Sequence, residues 1–563
     1  MLYAVAAGLS AAILAPLLGS GHLLYRDAVS TPRSFVTDGA LGLGGVAPRA
    51  VPQDWVVANL SRVLDGGVVV TVITFAALTL AGVGYGRMAS RLVPAAGRTG
   101  AVAATLVSIW NPYVAERLLQ GHWSLLVAYA SLGWIVVAAV EILDRDRTPG
   151  PEWGSWARLV AAVAIAGLTP TGSVLTAILV LAVLGLPLAV ARQRARFGIV
   201  WGILILGALP WLTASIAGQA TTTGGSDGFT VFGARAEPGL GTLGTVAGLG
   251  GIWNADAVPA SRTIWWAAAA TVALLIVVGV GAGWLWRHRD GGSRTIGVLA
   301  AVAALTIAAV TIAALGPVAA GLSSLAADVG GLGLLRDTQK YVALVVPFFA
   351  LAAAAAVDCV RRWVPAGFAL AAVALLVVAP LPDLAWGVGG QIRPITYPAD
   401  WTAVARIVPA EQGAVAVWPV GAVRRYSFTG EPSLNPLPRM VRATVTDSGE
   451  LTVDGVVVDP AGGRGAEVDR VLTAGGSPAA LAALGVGWVV VENDSPPSLL
   501  AQDAAVVFRG ADLTLYRVEG PVADRDASTW SRVAVITAHL IWSASILFAL
   551  AVVAVAARRR RPR

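Results

Sequence analysis

Apolar runs of about twenty residues, separated by short polar breaks, recur along nearly the whole chain. A bilayer core about 30 Å thick needs about 20 apolar residues per helix. On that measure about twelve segments qualify, near 3–19, 67–86, 100–118, 124–143, 156–170, 172–191, 197–216, 263–285, 295–316, 341–360, 364–382 and 530–556. Those near 100–118 and 156–170 are short or interrupted by proline. The first segment has no basic stretch ahead of it and no small-residue cleavage site before a charged start. It therefore reads as a spanning helix rather than a signal peptide.

Every second connection is short and basic. These carry Arg87, Arg91 and Arg98; Arg145 and Arg147; Arg192, Arg194 and Arg196; Arg287 and Arg289; and Arg361 and Arg362. The tail, with Arg558, Arg559, Arg560, Arg561 and Arg563, falls on the same side. Arginine-rich short loops mark the cytoplasmic face, so the pattern predicts a plasma-membrane, multi-pass chain with both termini cytoplasmic. All long connections then lie on the outer face: 20–66, the Gly/Thr-rich 217–262, 317–340 and 383–529.

Only 383–529 has the composition of a soluble unit. ADWTAVARIVP reads as a helix, AVAVWPV as a buried strand, 466–484 as helical, GWVVVEN as a second buried strand, and VVF with LTLYRV as a closing pair. The predicted architecture is an α-helical polytopic membrane protein of about twelve transmembrane helices, with a small extracytoplasmic α/β domain before the last helix. Its divisions are 1–382 (with the long outer loops 20–66 and 217–262), 383–529 and 530–563. No internal repeat of the kind common in transporters is visible.

Composition agrees. Of 563 residues, 56% are hydrophobic and 13% charged, and mean hydropathy is +0.72. Soluble proteins carry about 25% charged residues, so a water-soluble enzyme is excluded. The net charge of +7 sits at helix ends, where it orients the chain, and reads as no nucleic-acid footprint. One cysteine, Cys359, excludes a disulfide framework and a zinc cluster. Four scattered histidines make a histidine metal site improbable, and no Walker, dinucleotide or HExxH motif occurs. No metal and no cofactor is required, though carboxylate metal sites stay open.

Three polar constellations stand out. Loop 20–66 holds Asp27, Asp38 and Asp54 among Arg26, Arg33 and Arg49. A carboxylate just beyond the first helix suits a general base for an acceptor hydroxyl, and partial burial would raise its pKa toward the useful range. The arginines suit a phosphate leaving group. The bland reading is solvated loop charge, but a loop of this length carrying Phe35, Leu41 and Trp55 is more than a linker. WNPYVAERLLQGHW places Glu116, Arg117, Gln120, His122 and Trp123 near the outer surface, where a charged pair calls for a cavity or a partner. The alternative there is an interfacial turn with Trp110, Tyr113 and Trp123 as belt aromatics. LLRDTQKY brings Arg336, Asp337 and Lys340, the one lysine of the chain, to the start of the tenth segment. Helical spacing would put Arg336 and Lys340 on one face as an anion clamp; ordinary snorkelling is the alternative. His539 reads as bonded to a neighbouring helix. Trp401, Trp418 and Tyr426 suit either a sugar platform or the core.

NPYVAERLLQGHW and AVAVWPVG…LGVGWVVVEN, with the helix count, the early aspartates and the late α/β unit, resemble the GT-C superfamily and YfhO-like membrane proteins. GT-C members include actinobacterial arabinosyl- and mannosyltransferases. The resemblance implies transfer of arabinose or mannose from a polyprenyl-phosphate sugar to an envelope glycan or glycolipid, with no nucleic acid involved. It implies Asp27 as base, then Asp38 and Asp54. Arg26, Arg33, Arg117, Arg336 or Lys340 would hold the donor phosphate, and Glu116, Gln120, His122, Trp123 and Asp337 would line the cavity. The family often pairs two acidic residues in the first loop, whereas the aspartates here are isolated. The alternatives are a non-catalytic assembly factor of the same fold or a lipid-linked sugar flippase.

Overall fold

The computed structural model describes residues 1–144, 152–218, 227–288, 293–492, 495–503 and 505–559. Arg145, Arg147, Arg289, Arg560, Arg561 and Arg563 lie outside them. All twelve apolar segments contain helix, but the spanning count is lower than the sequence predicts. Among the described residues, eight helices are long and apolar enough to cross a membrane, or nine if one bent pair counts as a span.

The shortfall has local causes. The first segment is a short apolar stretch, Leu2–Leu18. Segment 100–118 is cut into Gly97–Ile109 and Pro112–Leu119. There Asn111 caps the second helix, its side chain accepting from the Val114 N–H at 3.0 Å, and Pro112 starts it. Asn-Pro is an initiation signal, so the chain begins a new helix where a spanning reading needs continuity. Segment 156–170 becomes Glu152–Ala166. Segment 364–382 is part of a pair, Ala366–Val378 and Pro382–Gly390, bent by 76°.

Burial ranks the helices. Trp123–Leu143 and Thr338–Val360 are 83% and 89% buried over their apolar windows, whereas Arg294–Ala313 and Thr529–Arg559 are each 17% buried. The first two form the centre of the bundle, and the last two present apolar surface outward as lipid-facing helices do. Gly66–Leu92 crosses Trp123–Leu143 at Gly84 and Gly133, where a Cβ on Gly133 would stand 2.7 Å from the Gly84 carbonyl carbon. Small residues permit that backbone contact.

At one end of the bundle lies the α/β unit. Its sheet runs Ala414–Trp418, Val486–Glu492, Leu513–Arg517, Ala505–Arg509; the first pair is parallel and the others antiparallel. The helical stretch 466–484 is two helices, Gly463–Thr473 and Pro478–Ala483. Trp401 and Tyr426 pack in the core of this unit, Trp401 being 1% exposed, so neither is a sugar platform. Trp418 is partly buried on the second core.

Loop 20–66 is ordered by this unit. His22 and Ile395 exchange backbone hydrogen bonds at 2.9 and 2.8 Å, and the Tyr397 hydroxyl donates to the Ser30 carbonyl. The loop also carries its own helix, Gln53–Leu60. Among the described residues His539 makes no hydrogen bond to a neighbouring helix. Its Nδ1 lies 2.7 Å from the Val535 carbonyl of its own helix, and its ring packs on Trp55.

Candidate functional site

Asp27 stands at the tip of a two-residue hairpin. Leu24–Tyr25 pairs antiparallel with Ala28–Val29, leaving Arg26 and Asp27 as the connection. Arg26 takes a φ of 48°, a left-handed conformation that costs a side-chain-bearing residue about 1–2 kcal/mol. The surroundings fix it there. Its backbone joins the α/β unit, donating to the Pro432 carbonyl at 2.8 Å and accepting from the Leu434 N–H at 2.9 Å. Its guanidinium donates to the Tyr25 hydroxyl and the Leu119 and Asp256 carbonyls. From below, the hairpin rests on Gly121, where a Cβ would come within 2.3 Å of the Ala28 nitrogen. The Asp27 N–H donates to the Gln120 carbonyl.

The Asp27 carboxylate receives two side-chain donors on Oδ2, His122 Nε2 at 2.9 Å and Gln120 Nε2 at 3.4 Å. Its side chain is 41% exposed, and among the described residues Oδ1 has no partner. His122 Nδ1 sits 3.0 Å from Arg117 Nη1. A guanidinium only donates, so Nδ1 must accept and the imidazole proton must be on Nε2, directed at Asp27. His122 is therefore neutral here, and burial indeed lowers its pKa. Burial alone would raise Asp27, but the hydrogen bonds from His122 and Gln120, with the charge of Lys340 nearby, outweigh it, and the net pKa is below the ordinary aspartate value. The sequence expectation of a raised pKa is corrected, because the partner was not visible in the loop itself.

Behind His122 the polar chain continues. Arg117, fully buried, donates to both oxygens of Asp337 at 3.0 and 3.4 Å and to Gln339 Oε1. Burial works against the Asp337 carboxylate, but Arg117 and Lys340 carry its pKa down to about 2. Lys340 Nζ lies 3.5 Å from Asp337 Oδ2. Glu116 and Arg117 each find a partner, as a charged pair at this depth requires, but not each other. Consecutive helical residues do not face each other, and Glu116 instead accepts from the Gly251 and Ile252 N–H groups and from Gln339 Nε2. Beyond Gly250 lies a buried pair, Glu237 with Arg262. Burial, reinforced by the neighbouring Glu237, raises the Glu116 pKa, and burial raises that of Glu237.

The other candidates serve elsewhere. Asp38 makes a bidentate pair with Arg532 at 2.7 and 2.8 Å and accepts from the Ala527 N–H, joining loop 20–66 to the last helix. Asp54 pairs with Arg439 of the α/β unit. Arg33 donates to the Ser34 and Ala58 carbonyls and the Ser61 hydroxyl. Arg336 is not clamped beside Lys340; it makes two bonds to Asp459, which Arg49 shares. The segment Thr338–Val345 is a 3₁₀ turn rather than the expected α-helix. Trp123 is 2% exposed and packs in the apolar core under the hairpin. The structure thus gathers Asp27, Glu116, Arg117, Gln120, His122, Asp337 and Lys340, with Arg26 present but committed. Sequence reading misses Gln339, Asn254, which donates to Gln120 at 2.9 Å, and the Glu237–Arg262 pair. Gln339 lies inside a motif already singled out, whereas the 217–262 stretch reads as flexible glycine-rich loop.

No protein-family signature matches the sequence, and no curated protein matches it. Solved structures do. The cryo-EM structure of the arabinofuranosyltransferase AftD from Mycobacteria superposes with a TM-score of 0.57 at 16% identity, covering 93% of this chain and 40% of that one. A point mutant of AftD gives 0.52 at 16% identity, covering 93% and 42%. ArnT from Cupriavidus metallidurans bound to undecaprenyl phosphate superposes at 0.35 with 11% identity, covering 93% and 99%. The chain has a GT-C-like fold, and it spans about two fifths of the length of the AftD chain.

Proposed function

We propose that this chain is a membrane glycosyltransferase that moves a sugar of the arabinose or mannose class from a polyprenyl-phosphate donor to an envelope glycan or glycolipid on the outer face. The observation that carries the reading is the Asp27 carboxylate: held by His122 and Gln120 on one oxygen, open on the other, and presented at a strained hairpin tip. Strain kept by surrounding contacts is characteristic of functional sites.

In this reading the acceptor hydroxyl oxygen attacks the anomeric carbon, the bond from that carbon to the phosphate oxygen breaks, and its electron pair leaves on the phosphate. Asp27 Oδ1 takes the hydroxyl proton as the bond forms. A low carboxylate pKa keeps Asp27 ionised, so it accepts the proton late, once the acceptor oxygen has gained positive character. The departing charge needs a cation. Arg26, Arg33, Arg117 and Arg336 are all consumed by partners, which leaves Lys340, 23% exposed beside Asp337, as the phosphate ligand of choice. No cofactor is required.

The test is transfer from a labelled polyprenyl-phosphate sugar by the full chain in nanodiscs. Asp27→Asn should lower turnover by about 10³-fold, the scale of a general base, with the folded protein intact. Asp38→Asn should retain turnover and lose stability, by about 1–3 kcal/mol for a broken buried bond to a charged group. The second reading, a non-catalytic assembly factor, is favoured by the saturation of those four arginines. It requires that Asp27→Asn be silent.

A further inference from the structure

The bend between Ala366–Val378 and Pro382–Gly390 leads into a turn of the wrong hand. Trp386, Gly387, Val388 and Gly389 have φ of 57°, 65°, 51° and 67°, and Gly390 has 78°. Two of these five residues carry side chains in a region that only glycine adopts without cost. The hook is wedged against the end of the first helix, since a Cβ on Gly387 would stand 2.4 Å from the Ile392 carbonyl and 3.1 Å from Pro16. It walls one side of an open surface depression of about 470 Å³ lined by Pro16, Trp386, Gly390, Arg393 and Pro394. Trp386 is 65% exposed.

Arg393 supplies the charge. Its Nε donates to the Gly390 carbonyl at 2.6 Å, which aims the side chain along the hook, and among the described residues no carboxylate pairs with it. Arg117, Arg262, Arg336, Arg439 and Arg532 at the same end of the molecule are each taken by one. The neighbours of Arg393 are of the kind found at membrane interfaces. Exposed Trp265 and Trp266 stand nearby, Trp266 donating to the Pro380 carbonyl, and the adjoining helix turns exposed Phe368 and Leu375 outward. Belt tryptophans and arginine heads meet phosphate groups at such interfaces. Snorkelling alone needs neither a depression nor a left-handed turn.

We propose that the Trp386–Arg393 hook is a binding site for the phosphate head group of an anionic membrane lipid. Arg393 binds the phosphate, and Trp386, Pro16 and Pro394 cover the first carbons of the lipid. The site is separate from the Asp27 cluster. Pro394 touches Gly21, six residues before Asp27, so a bound lipid is held beside the hairpin and not at it.

The experiment is native mass spectrometry of the full chain from nanodiscs of equal phosphatidylglycerol and phosphatidylcholine. The expected result is preferential retention of phosphatidylglycerol, reduced about fivefold by Arg393→Gln, the factor for one arginine near an anionic surface. The exposed Arg406→Gln on the α/β unit should change nothing. Trp386→Gly relieves the left-handed strain, so it should keep or raise the melting temperature while weakening retention; this separates binding from folding. Equal retention of both lipids, retention unaffected by Arg393→Gln, or displacement by millimolar inorganic phosphate would each overturn the proposal.

Discussion

Of the four aspartates in loop 20–66, Asp38 and Asp54 pair with Arg532 and Arg439 and Asp65 with His22, whereas Asp27 stands 41% exposed with Oδ1 unpartnered among the described residues. Its depressed pKa comes chiefly from His122, whose proton position is dictated by Arg117 on the far side of the ring. The sign of the pH effect follows. With His122 present, Asp27 stays ionised below the ordinary aspartate range, so the acid limb of kcat/KM lies low. In His122→Ala, the largest offset to burial is removed, the Asp27 pKa moves up, and the acid limb moves to higher pH. The ratio of wild-type to mutant turnover should then be larger at pH 5 than at pH 8. An unchanged profile would show that His122 does not act through Asp27. At this scale the sequence reaches the right residues and not their ranking. The partners that disqualify Asp38 and Asp54 lie 494 and 385 positions away, and no local pattern carries that pairing.

The hairpin and the Pro112–Leu119 helix act as one unit joined at Gly121. Gly121→Ala has no room, because its Cβ would meet the Ala28 nitrogen at 2.3 Å and the Tyr25 carbonyl at 2.9 Å, and its φ of 84° already requires glycine. The substitution should cost about 1–3 kcal/mol by overpacking and displace Asp27 from His122. Thermal unfolding and the transfer assay should fall together, and a fully active, equally stable Gly121→Ala would remove the hairpin from the account. The apolar segments are legible because lipid-facing length is written locally. Their breaks are partly legible too: Asn111-Pro112 signals a new helix, yet the run of apolar residues on either side suggests a single span. The left-handed turn at 386–390 leaves little trace in the sequence beyond its glycines.

The molecule as a whole is built around a buried ionic cluster beneath the α/β unit, in which Asp27, Glu116, Glu237 and Asp337 face Arg117, Arg262 and Lys340 with a neutral His122. Burial raises the pKa values of both Glu116 and Glu237, and the charge of Glu237 adds to the rise at Glu116. A raised carboxyl pKa means that the folded state binds the proton more tightly than the unfolded chain. Its contribution is therefore full below the ordinary glutamate value and declines as pH climbs toward the folded one. Stability should fall with rising pH above about 4.5, and Glu116→Gln should flatten that slope; an unaltered slope would assign it to other groups. The α/β unit is legible as strands and helices because its buried runs are continuous. Its clamp on loop 20–66 is not, since that depends on bridges such as His22 to Ile395. The most direct measurement is a cryo-EM map of the full chain in nanodiscs loaded with polyprenyl phosphate. The account predicts phosphate density within about 4 Å of Lys340 Nζ, ion-pair range, with Asp27 Oδ1 facing the vacant sugar position. A map with no phosphate near Lys340 and no path from Asp27 to the bilayer would contradict it.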